Sequence, residues 1–216
     1  MPSPRIVHMT GDFRVTGGGS GNSYGTGVVM GIHPAHDVTY CATVADATNA
    51  LAMLRGDLGD SEDRGDGQGW GYWLAVEMLW LGTDLVCVVS LSTSQRTAVI
   101  HLSRMPHVPA EFIRTMEDNA IGKVCTNRAR AHEKLREIGV VGRSILDLGR
   151  VGVHARRLAT ADVSLAFLCQ VFTGRRLPDG VALRLQGWEG VLSEAQIVFM
   201  ATHTVAVLDI RSALQL

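Results

Sequence analysis

The stretch GYWLAVEMLWLGTDLVCVVSLST, residues 71–93, is the most apolar part of the chain and decides how the rest is read. Two runs of strand length, Tyr72 to Leu81 and Leu85 to Thr93, flank Gly82-Thr83-Asp84, and the second is rich in valine. Apolar runs around turn chemistry predict a β-hairpin. Glu77, Gly82, Thr83 and Asp84 interrupt the stretch, and no run elsewhere reaches the ~18 apolar residues of a membrane-crossing helix. The reading is therefore no membrane. Tyr72 and Trp80 share one strand face and Trp73 lies on the other, so with Trp70 these aromatics read as pocket wall or as plain core.

Composition bounds the setting. The 216 residues suit one domain with a full core. A net charge of -1 argues against a nucleic-acid footprint and against an acidic membrane face, so the partner expected is a small-molecule ligand or substrate, no nucleic acid, with homodimerisation left open. Four cysteines form no CxxC pair, and Cys87 and Cys169 sit inside apolar runs; this reads as a reduced, cytoplasmic protein. Residues 1–27, with Gly17-Gly18-Gly19, carry no signal-peptide core and are expected to form a flexible Gly/Ser-rich arm before one domain over 28–216.

Outward from the hairpin, residues 27–44 read as two short strands about a turn at His33-Pro34-Ala35-His36, followed by a helix with Asp46 as its cap. Residues 55–69 read as a charged, glycine-rich loop. Helical spacing marks AEFIRTMEDNAIGKVC (110–125) and NRARAHEKLREIG (127–139), the second with mixed charge and the look of a solvated face. VHARRLA, VSLAFLCQVFTG, VALRLQGW and QIVFMATHTVAVLDI read as further strands. The fold class expected is α+β, a mostly antiparallel sheet with helices packed on one face.

The order YWLAVEMLW, LVCVVSLST, RMPHVP, AIGKVC, KLREIG, ARRLA and LAFLCQVF, spanning Tyr72 to Phe172, resembles the chorismate lyase family and its UTRA-type ligand-sensing relatives. That resemblance implies an internal ligand cavity and, in the lyases, conversion of chorismate to 4-hydroxybenzoate and pyruvate with no cofactor. It also implies two losses. Ala75 and Val76 stand where the family has an arginine, and Gln170 stands where it has a glutamate. A dianion needs fixed positive donors, and an elimination needs an acid for the leaving oxygen. A pocket so altered suits a larger, apolar ligand.

The expected activity is a cofactor-independent cyclase or lyase on an apolar intermediate of specialised metabolism. The alternatives are a non-catalytic binding or sensor protein and a true chorismate lyase. Gln170 and Glu77 are the catalytic candidates, Glu77 as a buried acid or else as an outward edge residue or arginine partner. Tyr72, Trp73, Ala75, Ile121, Gly122, Arg156 and Arg157 are the substrate-binding candidates, one of the two arginines pointing inward by strand alternation. No metal site is expected: His33 with His36 and His101 with His107 lack a supporting carboxylate or cysteine, and His203 stands alone. GGGSGNSYGTG (17–27) has no strand before it and no GK[ST] after it, so it is no phosphate loop.

Overall fold

A computed structural model describes residues 5–7, 36–59, 73–81, 85–178, 180, 183 and 186–216. Its strands in chain order are β1 (Arg5–Val7), β2 (Asp37–Cys41), β3 (Trp73–Leu81), β4 (Leu85–Ser92), β5 (Arg96–Ile100), β6 (Gly122–Cys125) and β7 (Ile145–Asp147). The helices are α1 (Val44–Asp57), α2 (Ala110–Glu117), α3 (Arg128–Glu137), α4 (Leu148–His154), α5 (Leu165–Thr173) and α6 (Glu194–Ala213). The hairpin forms as its pattern predicts, β3 against β4, and a bulge between Leu79 and Trp80 leaves Cys87 without a register partner. Bulges bend a strand and re-aim the extra side chain.

The sheet runs β1-β2-β5-β4-β3-β6-β7. Three contacts are parallel, β2 with β5, β3 with β6 and β6 with β7; the other three are antiparallel. The expectation of a mostly antiparallel sheet with helices on one face is thereby corrected. Parallel neighbours need helical crossovers, and crossovers cover both faces of a sheet. On one face Leu51, Leu54, Phe112, Met116 and Leu135 of α1, α2 and α3 pack on Leu74, Val76, Leu91 and Ile100. On the other, Leu168 and Phe172 of α5 and Ala206, Val207 and Ile210 of α6 pack on Ala75 and Val124, while Met200 joins Val88, Val99 and Trp188. Two covered faces explain why Val86 to Leu91 is buried without interruption and shows no in-out alternation. Each buried Val or Leu in such a run contributes about 1.5–3 kcal/mol.

VSLAFLCQVFTG and QIVFMATHTVAVLDI, expected as strands, form α5 and α6; VHARRLA leaves the end of α4 in a turn, and half of VALRLQGW lies outside the described residues. Ser164 accepts from the Phe167 N–H and opens α5, and Gly174 closes it at φ 69°. Ser193 and Gln196 form a reciprocal capping box that opens α6. The helix at 44–57 is capped by Thr43, whose Oγ1 accepts from the Asp46 N–H, so Asp46 is a first-turn residue and not the cap. The expected helical stretch 110–125 divides into α2 and β6. Within the expected N-terminal arm, Arg5–Val7 pair with β2; its other residues lie outside the described ones. No helix among the described residues is long and apolar enough to cross a membrane.

Candidate functional site

Strands β3, β6 and β7 are successive parallel neighbours, so their C-terminal ends open on one rim. Ligands of open parallel sheets bind outside such ends. Glu77 lies on β3 just beyond the β6 pairing, and its Oε1 accepts from the Thr126 hydroxyl at 3.3 Å. Ala75 and Leu79, two residues to either side, pack in the clusters that face α5 and α6, which puts Glu77 on that face. Ser90 stands opposite Glu77 in register, fully buried, and its hydroxyl has no hydrogen-bond partner among the described residues.

Asp147 ends β7. Its Oδ2 accepts from the Arg128 N–H at 2.9 Å and its Oδ1 from the Arg150 N–H at 3.0 Å. One carboxylate thus ties the first turns of α3 and α4 together. Between the two acids Cys125 is held as a neutral thiol: burial pushes its pKa up most, and the charges of Glu77 and Asp147 push it further. Both helix starts carry arginines, and Arg128, Arg130 and Arg150 are exposed. The Arg130 guanidinium lies 4.1 Å from the centre of the Trp80 ring.

A second polar cluster lies under residues 186–192. His101 Nε2 is 2.7 Å from the Trp188 carbonyl, which can only accept, so Nε2 carries the proton and Nδ1 accepts from the Tyr40 hydroxyl at 2.7 Å. The Cys87 thiol donates to the same carbonyl at 2.8 Å. Burial raises the Cys87 pKa and lowers that of His101, so neither an anionic sulfur nor a charged imidazole is favoured. Nucleophilic catalysis needs the thiolate, and this buried group ties a loop to the sheet instead.

The structure does not gather the sequence-predicted site residues into one cavity. Gln170 is exposed on α5, and Arg156 and Arg157 are both exposed after α4, the second with its guanidinium 4.9 Å from the Phe172 ring centre. Trp73 and Gly122 are register partners, and a Cβ at 122 would stand 2.9 Å from the Trp73 ring. Ala75 packs in the core on that face, whereas Ile121 belongs to the core on the other. Tyr72, Trp70 and His33 lie outside the described residues. His36 Nε2 meets the Thr97 hydroxyl at 2.8 Å, His107 is exposed, and His203 Nδ1 donates to the Phe199 carbonyl at 2.8 Å. Among the candidates in the described residues, Glu77 alone stands on the rim. The arginines beside it escaped notice because α3 reads by itself as a solvated helix.

No family model and no curated protein matches the sequence. Solved structures do match in three dimensions. The Nibbler EXO domain of Aedes aegypti gives a TM-score of 0.63 at 16% identity, covering 82% of this chain and 87% of that one. RNase D of Escherichia coli, an exoribonuclease involved in structured RNA processing, gives 0.65 at 14% identity over 82% of this chain, which spans 44% of RNase D. NrnC of Brucella melitensis with bound Mg2+ gives 0.57 at 16% identity, covering 66% of this chain and 71% of that one.

These likenesses overturn the resemblance to chorismate lyases, and with it the cyclase or lyase, the sensor and the chorismate lyase readings. They also remove the ground for expecting no nucleic acid, which rested on a whole-chain charge. Residues 128–157 hold eight Arg and Lys against three Asp and Glu, a local excess that the total conceals. A pair of divalent cations about 3.5–4 Å apart, as nucleases use, needs several converging carboxylate oxygens. Among the described residues no three His, Cys, Asp or Glu side chains come together to hold a metal, and Asp147 already spends both oxygens on backbone N–H groups. The residues present do not fit a carboxylate-held metal pair, although the fold is that of exonuclease domains.

Proposed function

We propose that this chain binds single-stranded nucleic acid along the rim where β3, β6 and β7 end, with Arg128, Arg130 and Arg150 facing phosphates. The carrying observation is the placement of these three exposed arginines on the first turns of adjacent helices, at the end of a parallel array in an exonuclease-type fold. Arginine presents a rigid fork of donors that matches phosphate oxygens. Asp147 sets the separation of the two turns, so the arginine backbones are ordered before a ligand arrives. Transfer of binding from solved proteins to this chain is an analogy of fold, and the arginine rim is the feature of this chain that supports it.

Fluorescence anisotropy with labelled RNA and DNA single strands tests the proposal. The double variant Arg128→Ala, Arg130→Ala should weaken binding and flatten the plot of log affinity against log salt by about 1.4, two phosphate contacts at about 0.7 each. Unchanged affinity and salt slope in the double variant would refute the rim as the binding site.

A further inference from the structure

Building on the binding proposed above, we infer that this chain holds a nucleic-acid strand without cutting it by metal-assisted hydrolysis. In that reaction water attacks phosphorus, the bond to the leaving oxygen breaks, and two cations stabilise the attacking and leaving oxygens. The cations must be gripped by carboxylates carried on the elements around the rim. Those elements turn other residues inward. On β3 the neighbours of Glu77 on its own face are Ala75 and Leu79. The buried residues of α3 are Ala131, Lys134 and Leu135. Those of α6 run from Gln196 to Ile210 without one acid, and near the middle they are Thr202, His203 and Thr204.

Four acids elsewhere in the described chain are already partnered. Asp147 caps α4 and accepts from the Arg128 N–H of α3; Asp118 accepts from Arg55 and from the Ala120 N–H; Asp57 pairs with Arg96; Asp209 pairs with Arg175. His203 is oriented by its bond to the Phe199 carbonyl, and imidazole is a poor ligand for a hard cation such as Mg2+. Glu77 is the one acid of β3, and its Oε1 accepts from the Thr126 hydroxyl. Among the described residues the rim carries three arginines, Glu77 and an Asp147 whose two oxygens already accept from backbone N–H groups, a set that attracts phosphate and does not seat a metal pair.

The test uses the full chain with end-labelled RNA and DNA single strands, in Mg2+, in Mn2+ and in EDTA, with binding and strand length followed in parallel. The inference expects binding in EDTA as well as in Mg2+ and Mn2+, and strands no shorter than in protein-free blanks in all three. Cation-dependent shortening above the blank, abolished by Glu77→Ala, would overturn the inference while leaving the binding proposal standing. Absence of binding in every condition would overturn the binding proposal itself and take the inference with it.

Discussion

His101 shows how one side chain can set the chemistry of its surroundings. Both ring nitrogens are used, Nε2 toward the Trp188 carbonyl and Nδ1 toward Tyr40, and that arrangement holds only for the neutral ring. Burial is the main cause that lowers its pKa from the ordinary 6.5, with Arg104 adding to it. His132 is lowered too, by burial and then by Arg128 and Arg136. The sign follows directly. Below 6.5 the unfolded chain takes up protons that the native chain refuses, so the stabilisation is complete above that value and is lost as pH falls. Urea midpoints compared at about pH 7.5 and about pH 5.5 should drop in the native sequence, and His101→Gln should show a shallower drop from a lower starting point. An equal drop in both proteins would dismiss His101 as a contributor. At this scale the sequence was partly legible: Glu77 stands out as an acid in an apolar strand, while the role of Asp147 depends on two helix starts meeting at one carboxylate, a contact that no local pattern announces.

Helices α5 and α6 show why composition misleads about elements. Their sequences are rich in Val, Ile, Phe and Thr, which favour strands, and α6 is buried over so much of its circumference that no polar stripe marks a helical period. The overlooked signal was Ser193-x-x-Gln196 just before the apolar run, a capping box whose two hydrogen bonds satisfy backbone donors at the helix start. Ser193→Ala should cost about 1 kcal/mol in chemical denaturation, with Ser193→Thr restoring most of it. If both variants matched the native protein, the box would be incidental to the helix. The hairpin, by contrast, was legible because strand length and turn residues are local features. The parallel contacts of β3, β6 and β7 join segments about 20 to 50 residues apart, and apolar pattern alone does not specify which strand lies beside which.

At the scale of the whole molecule, charge is distributed in a way that a total conceals. The basic excess of residues 128–157 coexists with a net charge of -1, so the nucleic-acid binding we propose would be local and strongly salt-dependent. The sheet is covered on both faces, and all four cysteines are buried within it or its helices. The bulge in β4 gives one of them a particular use. As the unpaired residue of that bulge, Cys87 sends its sulfur under residues 186–192 to the Trp188 carbonyl, so an alkylating reagent reaches it only after that loop lifts. Pulse labelling followed by peptide mass mapping would make this thiol a stopwatch. Cys87 should react ahead of Cys41 and Cys125 if the loop opens before the sheet comes apart, and all should react together if the molecule opens as one unit.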